Sequence, residues 1–373
     1  MKTKIAAAIA LSLLAGSTFA APTFYGEIDA SVDYLPEDNK SPISDKDVVE
    51  VSSNSSYLGV KGDEKLNDRL SAVYLAEWAF NADGEGTDWS ARNRYVGLKD
   101  AKLGTVKVGV HDTPLKQLSS VVDTFNNYVA NKADVTGIMT GETRLANVVV
   151  YESPALTLPT GAIKLNALLA TGEDSGIAKG NGASKSAGRG LGDTWSASLV
   201  YDSPVFVAGV AYDKAVPTTF AGRGIANASA PEVTSGVAGT AFAAANTLRA
   251  IGRLNVLDNS LALKALYQTS EVEAANGNEA AAANIDDSQG WLVGAEYNIP
   301  SAKAWTIKAQ YRANTTSFKD NSDDYDADQI IAGVDYAFSK QVKLYGYGGY
   351  LTLEQGNNET KQPVVGTGLE FKF

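Results

Sequence analysis

The sequence predicts an all-β fold, a sixteen-stranded antiparallel transmembrane β-barrel with a long third loop folded into the lumen. Three observations support this prediction. Apolar and polar residues alternate with a period of two in many segments. The polar face of these segments carries full charges, whereas the apolar face ends in tyrosine or tryptophan. The links between segments are alternately short and long, which is typical of an apolar band against lipid around an aqueous lumen.

The first twenty residues have the composition of a cleaved signal peptide. Lys2 and Lys4 give a basic start, a short apolar run follows from Ile5 to Ala15, and small residues precede Ala21. The apolar run is too short to cross a bilayer as a helix. We therefore expect an exported protein with a signal peptide over residues 1–20 and one barrel domain over residues 21–373.

Composition excludes several classes of protein. The chain has no cysteine, so zinc–thiolate sites and cysteine nucleophiles are ruled out. It has 32 basic and 43 acidic residues, and this acidic balance argues against nucleic-acid binding. Nothing in the sequence calls for a cofactor, and we expect none.

The strand pattern begins at Phe24. In FYGEIDASVDY, Phe24, Ile28 and Val32 face one way, while Asp29 and Asp33 face the other. The same alternation recurs in LRAIGRLN, LALKALYQ and WTIKAQYRAN. Sixteen such segments lie near residues 24–35, 56–63, 69–80, 91–99, 104–111, 147–152, 161–171, 193–201, 205–213, 246–256, 260–271, 289–298, 304–315, 327–338, 341–353 and 364–373.

The links between the segments also carry information. Links after even-numbered segments are short, with DSP at 202–204, LDNS at 257–260 and SK at 339–340. Links after odd-numbered segments are long and polar, at 36–55, 112–146, 172–192, 214–245, 272–288 and 316–326. A strict alternation of this kind predicts tight periplasmic turns, longer external loops and both ends of the chain on the periplasmic side.

The third long link, residues 112–146, has no strong strand pattern, although both flanks do. A structureless insertion of this length inside a compact domain is usually functional or disordered. We interpret it as a loop folded into the bore, where it narrows the pore. The alternative is a surface loop outside the barrel.

Three of the external segments, 36–50, 271–287 and 319–328, are acidic. Most of these charges belong to a solvated surface, but together they form a negative rim that concentrates cations at the mouth. Divalent ions could bridge this rim to lipopolysaccharide. The stretch DNSDDYDAD lacks the glycine and the terminal glutamate of a calcium-binding loop, so the sequence gives no metal site there.

Several motifs, taken in order, resemble the Gram-negative general porins, in the branch that includes neisserial and β-proteobacterial porins. They are FYGEIDASVDY, SYLGVKGDEKLNDRLSAVYLAEW, NRYVGLKDAKLGTVKVGVHDTPLK, RLANVVVYESP and DYAFSKQVKLYGYGGY, followed by the terminal Phe373. The resemblance implies a homotrimer in the outer membrane of a Gram-negative bacterium. It also implies a water-filled channel for passive diffusion of ions and small hydrophilic solutes, in contact with outer-membrane lipid and lipopolysaccharide.

The resemblance further implies a constriction at which wall arginines face acids of the third loop. Carried over residue by residue, the arginines correspond to Arg92, with Arg94 expected on the same face, and to Arg144. Two other positions where the family often has arginine hold Tyr57 and Val110. The candidate acids of the loop are Asp123, Asp134 and Glu142, and Asp123 in VDTF fits the family pattern best.

This depleted basic cluster predicts weak ion selectivity. Charges at the neck act at short range, where salt screens them little, whereas the acidic rim acts over longer distances and only in dilute salt. We therefore expect the channel to lean toward cations as the salt concentration falls. Neutralising Arg92 and Arg144 should raise the cation preference, and neutralising Asp123 should lower it.

Two other classes of function stay open at this point. The first is an outer-membrane barrel hydrolase, which would need a histidine beside a nucleophile. The chain has one histidine, His111, and the sequence does not place Ser119 or Ser120 next to it. The second is an adhesin or structural barrel whose pore is plugged, for example by the alanine-rich loop at 214–245. Pore size, conductance, the preferred solute and the path of that loop cannot be read from the sequence.

Overall fold

The computed structural model describes residues 21–35, 38–39, 49–128, 137–188, 190–221 and 240–373. The expected signal peptide at 1–20 and the candidate acid Asp134 therefore lie outside the described residues. So do most of the acidic segment 36–50 and the centre of the loop at 214–245.

Sixteen antiparallel strands close into a single barrel, which confirms the predicted sixteen-stranded antiparallel β-barrel. Each strand pairs with the next one along the chain, and β1 pairs with β16, from Glu27 opposite Lys372 to Tyr34 opposite Val365. The strands are β1 Thr23–Tyr34, β2 in two parts Val49–Ser53 and Tyr57–Lys65, β3 Leu70–Ala79, β4 Ser90–Asp100, β5 Gly104–Asp112, β6 in two parts Arg144–Glu152 and Leu156–Leu158, β7 Gly161–Ala170, β8 Thr194–Asp202, β9 Phe206–Ala221, β10 Thr240–Val256, β11 Leu261–Val272, β12 Ile285–Asn298, β13 Trp305–Phe318, β14 Tyr325–Ala337, β15 Val342–Gln355 and β16 Asn358–Lys372.

Two short elements lie outside this series. A two-residue strand, Asp38–Asn39, pairs with β16 at Lys361 and Thr360. A 3₁₀ helix, Ala280–Asn284, precedes β12. Among the residues that the structure describes, no helix is long and apolar enough to cross a membrane.

The structure corrects the predicted links at two places. Strand β9 continues to Ala221 and β10 starts at Thr240, so both flanks of the link expected at 214–245 are strand. This extension is stabilised by burial, because Phe220 and the alanines of β10 pack against Ile285. The link after β15 is a two-residue turn, since Gln355 pairs with Asn358, and the alternation of short and long links is therefore not strict.

The two faces of the wall meet different surroundings, as the period of two predicts. In β1, Ile28 and Val32 are 42% and 51% exposed, while Asp29 and Asp33 are 2% and 0% exposed. Residues directly opposite each other on antiparallel strands share a face, so each pairing extends this division around the barrel. The apolar outer face is thus separated from an inner face that carries the charged side chains.

A helix that the sequence analysis missed, α1, spans Pro114–Val122. Thr113 caps it, since its Oγ1 accepts a hydrogen bond from the Lys116 amide at 3.2 Å, and Pro114 suits the first helical position. Leu115, Leu118 and Val122 recur on one side of the helix and are buried. They pack in one cluster with inner-face wall residues, namely Ala211, Ile251, Leu266 and Leu292.

Candidate functional site

The segment 113–143, described except for residues 129–136, is held to the wall by Arg249 of β10. This arginine is fully buried, and its guanidinium donates to Glu142 Oε1 at 2.5 Å and to the Thr140 carbonyl at 2.9 Å. It also donates to Gln268 Oε1 of β11, at 2.6 Å, and to the Leu115 carbonyl, at 3.3 Å. A buried guanidinium needs partners for all its N–H groups, so this set of acceptors fixes both ends of the segment to one point.

The turn that follows α1 is held further round the barrel. The Gln310 amide of β13 donates to Asp123 Oδ1 at 3.0 Å, and the Phe125 backbone N–H donates to the same oxygen at 3.2 Å. The Tyr128 ring stacks on Tyr345 of β15, with 4.5 Å between the centroids. The segment therefore contacts the inner face along much of the wall from β8 to β15.

A second cluster forms where β5 ends and β6 begins. Arg144 Nη2 lies 3.1 Å from Asp112 Oδ1, and Lys116 Nζ lies 3.1 Å from the same oxygen. Asn93 donates to the other carboxylate oxygen at 2.9 Å, and Arg144 Nη1 donates to the Ala91 carbonyl at 3.0 Å. Asp112 thus forms ion pairs with two cations, and it was not among the predicted site residues.

The two arginines of β4 do not share a face, contrary to the sequence-based expectation. The register between β3 and β4 shifts between Ala76 and Trp78, which inserts one extra residue into β4. Arg92 therefore points inward, with its Nε 3.5 Å from Glu77 Oε2. Arg94 pairs with Ala76 on the outer side, and its guanidinium carbon lies 5.9 Å from the centre of the Trp78 ring.

An open space of about 570 Å³ lies between the segment and the wall near β2 to β6. Arg92 and Arg144 line it from the wall, and Lys116, Ser120 and Glu142 line it from the segment. The structure thus brings three predicted site residues, Arg92, Arg144 and Glu142, to one cavity. It holds Asp123 against β13 instead, and Arg94 lies on the opposite face of the wall.

A short hairpin around Asn181 and Gly182 pairs with the ends of β4 and β6, beyond the last residue of β5. The Ala91 N–H, which has no β5 residue opposite it, donates to the Asn181 carbonyl at 2.9 Å. Ser184 exchanges backbone hydrogen bonds with β6, and Arg144 Nη1 also donates to the Gly182 carbonyl at 3.2 Å. Arg144 therefore has a structural role in addition to lining the cavity.

Two signals in the sequence could have located the residues that were missed. Lys116 follows Asp112 by four residues across the start of a helix, a spacing at which opposite charges meet. The Thr-Pro pair at 113–114 and the apolar spacing of Leu115, Leu118 and Val122 mark that helix. The packing of Arg249 against the segment carried no comparable local signal, because it joins elements more than a hundred residues apart.

The geometry also shows what surrounds His111. The imidazole ring of His111 lies against the Tyr95 ring in a tilted arrangement, with 5.4 Å between the centroids, and its Nδ1 lies 2.9 Å from the Asp112 carbonyl oxygen. The Ser119 hydroxyl lies 2.7 Å from the Lys116 carbonyl oxygen and 3.0 Å from Glu142 Oε2, and these two acceptors share its one proton, while Ser120 donates to the Gln117 carbonyl at 2.8 Å. The hydroxyl protons of both serines are thus directed away from the histidine.

A closed sixteen-stranded barrel with a charged inner face and an apolar outer face defines an outer-membrane channel. The chain belongs to the Gram-negative porin family, whose sequence model matches residues 6–356. It is an outer-membrane porin, as predicted.

Relatives of known name agree with this assignment. The chain is 26% identical over 378 residues to the major outer membrane protein P.IB of Neisseria lactamica, with 98% of each chain covered. It is 23% identical over 388 residues to the protein of the same name from Neisseria meningitidis serogroup B, again with 98% of each chain covered.

Solved structures share the fold. The anion-selective porin from Comamonas acidovorans aligns with a TM-score of 0.64 at 18% identity, over 95% of this chain and 99% of that one. The trimer form of OmpT from Vibrio cholerae aligns with a TM-score of 0.62 at 14% identity, over 95% of this chain and 99% of that one.

Proposed function

We propose that the segment 113–143 lies in the lumen and forms the constriction through which ions and small hydrophilic solutes pass. The supporting observation is the cavity of about 570 Å³ that the segment leaves between itself and the wall. Three basic groups line it, Arg92, Lys116 and Arg144, together with two acids, Asp112 and Glu142. Both signs of charge across a narrow aqueous passage order water and favour polar solutes over apolar ones.

The balance of these charges sets a weak selectivity. Asp112 is shared by Lys116 and Arg144, and Glu142 is paired with Arg249, so little net charge faces the passage. At about 1 M salt, screening acts over roughly 3 Å and only the neck charges matter. At about 0.01 M salt, screening extends to roughly 30 Å and the acidic external segments add a preference for cations.

The test is the reversal potential of single channels in a KCl gradient, measured at high and low salt. Arg92→Gln is expected to shift the potential toward cation selectivity at both salt concentrations, because it removes a positive charge from the passage. Arg94→Gln is the matched control, since it removes the same charge from the outer face of the same strand. Equal shifts in the two variants, or no shift in Arg92→Gln, would contradict the proposed constriction.

We also propose that the protein is a homotrimer, that it is a channel and not an enzyme, and that residues 1–20 are removed on export. The trimer form of the Vibrio cholerae relative supports the first of these statements. The contacts of His111, Ser119 and Ser120 support the second, because none of them pairs a serine hydroxyl with the imidazole. The mass of the detergent complex before heating distinguishes a trimer from a monomer.

A further inference from the structure

A second cavity, of about 360 Å³, adjoins the first one, and Asn126 and Asn127 line both. It lies toward the end of the barrel where β1 begins and β16 ends. Eight of its twelve lining residues are charged. It contains three lysines and five acids, namely Lys308, Lys343, Lys372, Glu27, Asp29, Glu296, Asp335 and Glu370.

From β11 to β16 the inner wall carries charges that alternate in sign from one strand to the next, and β16 carries both Glu370 and Lys372. The order from β11 to β1 is Lys264, Glu296, Lys308, Asp335, Lys343, Glu370, Lys372 and Glu27. We call this series the charge belt. Neighbouring strands are about 4.8 Å apart, so from β11 to β16 the sign of the wall charge reverses at a spacing of roughly that length. Asp29 of β1 also lines the cavity, but it is opposite Glu370 and is not part of this series.

Ion pairs join neighbouring members of the belt at several points. Lys264 lies 2.6 Å from Glu296, and Lys308 lies 2.9 Å from Asp335. Glu370 receives Lys343 at 2.8 Å. It also receives Lys372 at 2.7 Å, and that ammonium lies 3.7 Å from Glu27. The Lys372 ammonium therefore already occupies the place between Glu27 and Glu370 where an inorganic cation would sit.

Tyr128 of the segment 113–143 closes one side of this cavity. Its hydroxyl accepts a hydrogen bond from Lys308 Nζ at 2.5 Å and donates to Asp335 at 3.3 Å. Burial and the charge of Asp335 raise the pKa of Tyr128 well above its ordinary value, so the phenol stays neutral. The charges available to a solute at this point are therefore those of the belt and of Asp29.

We propose that this cavity is a transit site for small zwitterions, solutes that carry an ammonium and a carboxylate a few bonds apart. With three lysines and five acids, the cavity attracts a simple cation more than a simple anion, but each of them also meets groups of its own sign on neighbouring strands. A zwitterion can place its carboxylate at a lysine and its ammonium at the neighbouring acid, with charge-assisted hydrogen bonds at both ends. The inference rests on the proposed function in one respect, since the solute reaches the cavity through the constriction.

The test compares how three probes of equal chain length reduce the KCl conductance of single channels. The probes are γ-aminobutyric acid, butyrate and butylammonium. The half-blocking concentration in the wild-type protein should be about tenfold lower for the zwitterion than for either ion, which corresponds to about 1.4 kcal/mol. Equal block by the three probes would overturn the proposal.

Three variants locate the effect. The double variant Lys308→Met/Asp335→Asn removes one pair of the belt and should abolish the preference for the zwitterion. The charge swap Lys343→Glu/Glu370→Lys keeps the net charge but sets like charges next to Asp335 and Lys372, so it breaks the alternation and should also lower the preference. The control Lys107→Met/Glu152→Gln removes a pair that is bonded equally closely, at 2.6 Å, on β5 and β6 outside the cavity.

The outcomes separate the two proposals. A preference that survives Lys308→Met/Asp335→Asn, or that is lost equally in the control, would overturn the transit site. Failure of the constriction appears in a different measurement, the reversal potential of Arg92→Gln, which does not depend on the belt.

Discussion

Replacing Arg249 with methionine tests how the segment 113–143 is held against the wall. Methionine keeps the straight apolar stem and removes the guanidinium, which leaves Glu142 without its charged partner although its side chain is only 7% exposed. Breaking a buried ion pair by removing one member costs about 3–5 kcal/mol. Leu115, Leu118 and Val122 stay buried, and each is worth about 1.5–3 kcal/mol. The apolar contacts together exceed the loss, so α1 should remain docked on average but open more often.

Hydrogen exchange of the α1 amides measures this opening. Since about 1.4 kcal/mol corresponds to a factor of ten, the loss of about 3–5 kcal/mol predicts that the α1 amides exchange at least roughly 10²-fold faster in Arg249→Met than in the wild-type protein. The same openings should raise the current noise of the open channel, while the barrel stays assembled. Arg253→Met is the matched control, because Arg253 is on the same face of β10 but donates to Asn255, at 3.0 Å, and not to the segment. An increase in the exchange rate of less than tenfold, or an equal increase in Arg253→Met, would refute this account of how Arg249 holds the segment 113–143.

Two further predictions concern the external end. Gly182→Ala should push the hairpin off the wall, because a Cβ at residue 182 would lie 2.2 Å from the Ala91 carbonyl oxygen. Gly84→Ala is the matched control, because Gly84 has the same φ of +83° but lies in open space, and it should leave the hairpin in place. Hydrogen exchange of the Ala91 amide, which donates to the hairpin, measures this loss of contact and should be faster only in Gly182→Ala. The hydrogen bond from Lys214 lowers the pKa of Glu273, so its contribution to stability is present above about pH 4.3 and is lost as the pH falls through the lowered folded-state pKa. Acidification should therefore speed exchange over residues 273–279 in the wild-type protein and change it little in Glu273→Gln.

The wall was predictable from the sequence because its two faces meet different solvents. That contrast fixes the alternation in every strand, and all sixteen predicted segments are strands in the structure. The alternation does not reveal a single inserted residue, however. The bulge in β4 places Arg94 on the outer face, whereas Arg92 points inward toward Glu77.

The site was less predictable because its contacts join distant parts of the chain. Asp123 fitted the family pattern, yet Gln310 holds it against β13, away from the cavity. The contact between Glu142 and Arg249 depends on where α1 docks, and this docking depends on apolar residues that interrupt the polar inner face, such as Ile251 and Leu266. The charges of the belt are visible singly in each strand, but their alternation depends on the register between strands.

The central claim is that the segment 113–143 narrows the conducting pore. The chain has no cysteine, so a single introduced thiol can be modified selectively. Ser120→Cys places that thiol on the exposed side of α1, facing the cavity, whereas Val210→Cys places it on the outer face. A charged methanethiosulfonate reagent, added during recording, is expected to lower the single-channel conductance of Ser120→Cys in one step and to leave Val210→Cys unchanged. Complete modification of Ser120→Cys with no change in conductance would contradict the claim.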